Sequence, residues 1–162
     1  MQGMIMHHAQ AVEMTALIET RTQNKDLRLL GARISHSQSD EMKFMKRWLE
    51  VRGVPVSPPV SGMARMQTHD PHTPGHQMLM PGMLTEAQMK ELDQSRGSEF
   101  DRLFLHYMIQ HHKGAVTMVK ELFETPRAAQ DETTFKLASD VSADQSSEIT
   151  RMEQMLAELG RG

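Results

Sequence analysis

The chain has 162 residues, with 18 Lys and Arg against 21 Asp and Glu, and a formal net charge of −3 with His neutral. That length supports a single core, the charge balance leaves no basic face for nucleic acid, and 38% hydrophobic residues exclude a fully disordered chain. There are 16 Met, 9 His and no Cys, so disulfides, thiolate nucleophiles, zinc fingers and iron–sulfur clusters are excluded, and soft-metal chemistry is left to thioether and imidazole.

The first helix runs from the N-terminus to about Thr22; Met1-Gln2-Gly3-Met4 leads straight into it, with no charged n-region or apolar h-region. Nowhere are there 18 consecutive apolar residues, so no membrane span is expected. A second helix covers roughly Lys25 to Arg52 and stops at Gly53 before Val54-Pro55. From Val54 to Leu84 the chain is broken by Pro55, Pro58, Pro59, Pro71, Pro74 and Pro81, which preclude a long helix. Thr85-Glu86-Ala87-Gln88 fits a capping box and opens a short helix to about Ser95. A third long helix spans Ser98 to Glu124, with Ser98 and Asp101 in a capping arrangement and Pro126 beyond its end, and a fourth spans about Ala128 to Leu159.

Two halves of the chain repeat. Met4-Ile5-Met6-His7-His8 … Ala11-Val12 … Met14 matches Met108-Ile109-Gln110-His111-His112 … Ala115-Val116 … Met118. Ile34-Ser35 … Gln38 … Glu41 … Met45 … Leu49 matches Val141-Ser142 … Gln145 … Glu148 … Met152 … Leu156, and the two offsets of 104 and 107 place a three-residue insertion in one half. Short links make each half an antiparallel helical hairpin. The expectation is one all-α domain over 1–162, an antiparallel four-helix bundle with a first hairpin at 1–53, a Met/His-rich loop plus short helix at 54–97, and a second hairpin at 98–160.

The stripes of this bundle carry the chemistry. Met4, His7, Ala11, Met14 and Ile18 share one face of the first helix, as do Phe104, Met108, His111, Ala115, Met118 and Leu122 of the third. Ile34, Gln38, Glu41, Met45 and Trp48 line the second, and Val141, Gln145, Glu148, Met152 and Met155 the fourth. A Met at such spacing is ordinarily core filler, and an inward Glu is ordinarily partnered, so His7–Glu41 and His111–Glu148 are one expected pairing. Packing explains neither the doubled His7-His8 and His111-His112 nor the loop, where Met63, Met66, His69, His72, His76, Met78, Met80 and Met83 fall within 21 residues that have no core to fill. Thioether prefers Cu(I), imidazole serves Cu(I) and Cu(II), and the softer Ag(I) follows Cu(I). Ferritin-like di-iron sites need Glu-x-x-His, which is absent, as are His-Glu-x-x-His, Gly-x-Ser-x-Gly and any phosphate-binding Gly-rich loop.

Phe100-Asp101-Arg102-Leu103-Phe104-Leu105 … Met108-Ile109 … His111-His112 … Gly114-Ala115-Val116 … Met118, with Gln145 … Glu148-Ile149 … Met152 and the central Pro81-Gly82-Met83-Leu84-Thr85 … Met89, resembles the bacterial domain-of-unknown-function family numbered 305. The resemblance implies a ferritin-like four-helix bundle and an exported, periplasmic or secreted protein, one branch of the family being periplasmic copper-binding proteins that support copper resistance. It implies Met108, His111, His112 and Met118 as ligands, with Met4, His7, His8 and Met14 in the first copy. Here the first copy lacks a counterpart of Phe100 to Leu105, and His36 stands where the second copy has Ala143, either as a further ligand near Met42 or in solvent.

The functional expectation is copper binding outside the cytoplasm, as a chaperone, buffer or sequestering protein, with a copper exporter or other copper-handling protein as partner. Its candidate ligands add His36, Glu41, Met45, Glu148, Met152 and the loop's His69, His72, His76, Met78, Met80 and Met83. The alternatives are a ferritin-like metal oxidase acting on Fe(II) or Cu(I), and an interaction module whose Met residues form adaptable apolar surface. Binding is preferred to catalysis because no open three-ligand site is evident in the motifs.

Overall fold

The structure, a computed structural model, describes residues 1–56 and 79–161. Five helices follow in order, and the described residues include no strand: α1 (Gln2–Arg21), α2 (Lys25–Val51), α3 (Glu86–Gln94), α4 (Gly97–Glu124) and α5 (Glu132–Leu159). Local chemistry sets the boundaries. Asn24 caps α2, its side chain accepting from the backbone N–H groups of Asp26 and Leu27 at 3.1 and 3.2 Å. Gly53, at φ +66°, ends α2 in the left-handed region that favours glycine. Thr85 and Gln88 form the expected reciprocal box at the start of α3.

Two expected boundaries move. The fourth long helix begins at Glu132 rather than Ala128, because Asp131 takes the cap, accepting from the Thr134 N–H at 3.0 Å. Ala128 and Ala129 instead form a turn in which Arg127 and Ala129 adopt positive φ. Nor do Ser98 and Asp101 cap the third long helix. Its N-cap is Arg96, without a side-chain hydrogen bond, and Asp101 turns inward to accept from the Asn24 amide at 2.9 Å, tying α4 to the α1–α2 link.

Helices α1 and α2 pack together as one hairpin and α4 and α5 as the other, and the hairpins meet along α1 and α4. Helix α1 runs antiparallel to α4: Gly3 lies beside Met118, His7 beside His111, and Asn24 beside Asp101. The largest core cluster lies towards the Asn24–Asp101 end and includes Met14, Ile18, Leu27, Ile34, Phe100, Phe104, Met108 and Met152. Two smaller clusters occupy the opposite end, around Ile5, Met45 and Leu49 and around Val119, Ala138 and Val141, with Met4 packed against both. This aliphatic and thioether packing follows from the low aromatic content.

The segment 79–84 crosses both hairpins. Gln10 grips Leu84 twice, accepting from its N–H at 2.7 Å and donating to its carbonyl at 3.0 Å, while Gln110 donates to the Gly82 carbonyl at 3.3 Å. Gly82 (φ +76°) and Gly114 allow backbone to meet backbone: a Cβ on Gly114 would lie 1.9 Å from the Pro81 carbonyl oxygen. Met80, Met83 and Leu84 are thereby buried. This corrects the expectation that the Met residues of 54–84 have nothing to pack against: Met80 and Met83 fill core.

Replacing Gly114 with Ala should therefore destabilise the fold by about 2–3 kcal/mol or more, since neither backbone can yield cheaply. Gly160→Ala, whose Cβ would find its nearest neighbour at 3.7 Å, should stay within about 0.5 kcal/mol. Denaturant melts of the two variants check the contrast.

Candidate functional site

All four paired histidines are fully buried, at 0% exposure. Adjacent residues on a helix point about 100° apart, so His7 and His8, like His111 and His112, reach different neighbours. His7 and His111 stack across the α1–α4 interface with ring centroids 3.8 Å apart and planes inclined by 41°. His8 and His112 turn towards the partner helix of their own hairpin, where His8 Nε2 lies 2.5 Å from Glu41 Oε2 and His112 Nε2 lies 2.7 Å from Glu148 Oε2. The expected His7–Glu41 and His111–Glu148 pairs are thus displaced by one residue in each copy. The reason is that His7 and His111 occupy the seam between hairpins, beyond the carboxylates' reach.

The remaining ring contacts fix the tautomers. His7 Nε2 lies 3.0 Å from the Pro81 carbonyl oxygen, and His111 Nε2 lies 3.1 Å from the His7 carbonyl oxygen. A carbonyl only accepts, so both Nε2 atoms carry the proton and each Nδ1 presents a lone pair. The carboxylates impose the same role on His8 and His112. All four Nδ1 atoms are buried without a protein partner. An imidazole that donates one N–H to a carboxylate or carbonyl and keeps the other nitrogen free has the standard orientation of a metal-ligating His.

Burial governs the electrostatics. Desolvation pushes His7 down to about 3, outweighing the hydrogen bond from its ring to Pro81; His8 and His112 nearby add to the lowering. His111 is driven well below its usual value, again chiefly by burial and then by the neighbouring imidazoles. Asp144 is raised by burial and then by the charges of Glu41 and Glu148.

The other expected site residues divide by position. Met14, Met108 and Met152 sit in the large apolar cluster on one side of the histidines. Met4 and Met45 lie in the smaller clusters on the other side. At that same end, Met80 and Met118 bracket Gly3: a Cβ there would lie 3.3 Å from Met80 Sδ and 3.6 Å from Met118 Cε. Met83 is buried in the 79–84 segment. His36 does not join the layer: its side chain is 84% exposed and lies 3.5 Å from Asp40. Met63, Met66, His69, His72, His76 and Met78 lie outside the described residues. Among the described residues no three His, Asp or Glu side chains gather closely enough to hold a metal by themselves, so such a site has to recruit thioether or amide groups.

Sequence reasoning missed two participants, Gln10 and Pro81. They hold the segment that supplies His7 its acceptor; the signal for that close approach is Gly114, a glycine inside a helix where Ala would be favoured. Gln38 and Gln145, placed on the inward stripes, have both polar side-chain atoms buried without a protein partner. An unmet buried amide costs about 1–3 kcal/mol.

An all-helical chain built from two helical hairpins, with a doubled buried His pair, defines the class. The chain belongs to the domain-of-unknown-function family DUF305, whose match covers residues 1–156. It is similar to a DUF305 protein from Streptomyces coelicolor, named as a presumed secreted protein, at 31% identity and a TM-score of 0.80 over 98% of this chain and 90% of that one. A DUF305 fragment from Deinococcus radiodurans aligns at 30% identity and a TM-score of 0.77, covering 97% and 92%. CopM in its Cu(II)-bound form aligns at 27% identity and a TM-score of 0.73, covering 97% and 93%, and its Ag-bound form at 26% and 0.68. CopM in its Cu(I)-bound form shares the fold at 24% identity and a TM-score of 0.70. No functionally curated protein matches the chain.

The pKa shifts predict how the metal-free protein responds to acid. His7 binds its proton near pH 3 when folded and near 6.5 when unfolded, so the unfolded state holds more protons between these values. Stability should be complete above about pH 6.5 and fall progressively as pH drops towards 3. His7→Asn should flatten this slope relative to the parent in thermal melts from pH 7 to 4.

Proposed function

We propose that this chain is a copper-binding protein of ferritin-like four-helix-bundle design, which acts outside the cytoplasm as a metal chaperone, buffer or sequestering protein. The observation that carries the reading is the set of four buried imidazoles whose Nε2–H groups are committed to Pro81, Glu41, His7 and Glu148 while their Nδ1 atoms lack partners. Lone pairs held this way suit a borderline or soft cation. Flanking thioethers supply the soft half of the donor set: Met4, Met80 and Met118 at the Gly3 end, and Met14 and Met108 on the opposite side of the imidazoles.

The likeness to CopM in its Cu(II)-bound and Ag-bound forms supports copper as the cargo, with Ag(I) as the soft analogue of Cu(I). The Streptomyces coelicolor neighbour supports the compartment. No helix among the described residues is long and apolar enough to cross a membrane. The partner on this reading is a copper exporter or another copper-handling protein that receives the ion. Binding rather than turnover is the proposed role, with His7, His8, His111 and His112 as nitrogen ligands and Glu41 and Glu148 orienting two of them.

Anaerobic competition of the metal-free protein against a chromophoric Cu(I) chelator tests this. The expected result is more than one tightly bound Cu(I), with affinity lowered about tenfold or more by His111→Ala or Met108→Leu. Absence of Cu(I) binding would overturn the reading, and tight Fe(II) binding with sustained oxygen uptake would replace it with a metal oxidase.

A further inference from the structure

The contact between His8 and Glu41 fixes the register of α1 against α2. The two helices are antiparallel, so Met4, one turn before His8, lies level with Met45, one turn after Glu41. Another turn outward, Met1 lies level with Trp48. These residues belong to one small cluster at the end of the hairpin. Met1, Met4 and Met42, each partly buried, pack around Ile5, Met45 and Leu49, with Trp48 beside them. Met80 and Met118, which approach Gly3, are not part of it.

The second repeat supplies an internal control for what packing alone requires. By the offsets of 104 and 107, Met1, Met4, Met42 and Met45 correspond to Leu105, Met108, Ile149 and Met152. Those four places join the large cluster with hydrocarbon side chains at two of them. Leu and Ile also lose less rotamer freedom on ordering than Met does. The first repeat nevertheless carries thioether at all four places, and three of the four keep contact with solvent.

We propose that Met1, Met4, Met42 and Met45 form a second metal site, an all-thioether cup between α1 and α2 that takes a soft monovalent cation of the Cu(I) or Ag(I) class. Its cargo rests on the copper reading above, whereas its place and donors do not. Thioether is a soft, uncharged donor, which suits such an ion and disfavours Cu(II). The cup stands one turn outside His8, so an ion entering at this end meets thioether before imidazole. Trp48, whose ring carries the Arg52 guanidinium at 3.8 Å, borders it.

The test titrates Ag(I) into the full chain labelled with carbon-13 at the Met ε-methyl groups. Nuclear magnetic resonance follows the methyl groups, and fluorescence follows Trp48, the chain's single Trp. The expected result is saturable quenching of Trp48 together with shifts of the Met1, Met4, Met42 and Met45 resonances. Met42→Ile, which copies the second repeat, and M42I/M45L should each lower the Ag(I) affinity read at Trp48 about tenfold or more. Their Cu(II) affinity, read by chelator competition, should stay within about threefold of the parent.

The methyl resonances are read in the parent chain, so that arm decides the matter even if a variant fails to fold. Ag(I) binding that leaves Trp48 and these four resonances unmoved would overturn the proposal, as would folded variants with parent-like affinity at Trp48. Either result defeats this inference alone if the parent still binds Cu(I) or Ag(I) elsewhere. A parent that binds neither ion defeats the copper reading with it.

Discussion

Four imidazoles buried without solvent contact impose the constraint to which the rest of this molecule answers. Burial disfavours the charged form of His7 and His111, and each of the four rings brings an N–H that must meet an acceptor. Most helical carbonyls are already engaged in the ladder, and one can serve here only through its second lone pair. Two acceptors are imported as side chains, Glu41 from α2 and Glu148 from α5. A third, the Pro81 carbonyl, comes from a segment outside the hairpins, and the fourth is the His7 carbonyl, shared across the seam between α1 and α4.

The third acceptor explains much of the middle of the molecule. To deliver the Pro81 carbonyl to His7, the 79–84 segment must lie against the backbone of α4, and that is possible only where Gly82 meets Gly114. Gln10 and Gln110 then hold the segment from the two helices at once. A chain crossing both hairpins joins them at the level of the imidazoles, so the contact that positions His7 also closes the seam in which His7 and His111 stack. The repeat is thereby broken: His7 bonds to the segment, whereas His111, its counterpart, bonds to His7.

The helices and inward stripes were legible in the sequence because hydrophobic period, proline punctuation and the internal repeat act locally. Gln38, Met45, Gln145 and Met152 are buried as the stripes require. The pairing of histidines was not legible. A one-residue difference on a helix turns a side chain by about 100°, and only the interhelical crossing decides whether His7 or His8 meets the carboxylate. Helix starts failed where a single side chain had two uses. Asp101 suits a cap, yet the turn between α1 and α2 presents Asn24 to it, a contact 77 residues distant in sequence. For Met80 and Met83 the composition was informative and the inference from loop to solvent was not, because the segment carrying them is pinned against two helices.

The arrangement of these groups bears on how a cargo ion could be exchanged. In this structure the imidazoles of His7, His8, His111 and His112 are inaccessible, so ligation at their Nδ1 atoms would require the interior to open or an ion to pass along polarisable side chains. The end of the molecule near Gly3 is the softer boundary: Met4 and Met118 are only partly buried there, whereas the large cluster beyond the imidazoles is closed by Leu27, Phe100 and Phe104. Because His7 donates from Nε2 to Pro81, an ion taken at Nδ1 leaves that bond in place and strengthens it, since metal ligation makes the remaining N–H more acidic and a better donor. On the copper reading the 79–84 segment would then be held more tightly in the loaded state than in the empty one. Exchange would be governed by the release of that segment, and the same hydrogen bond that orients the empty imidazole would slow the departure of a bound ion.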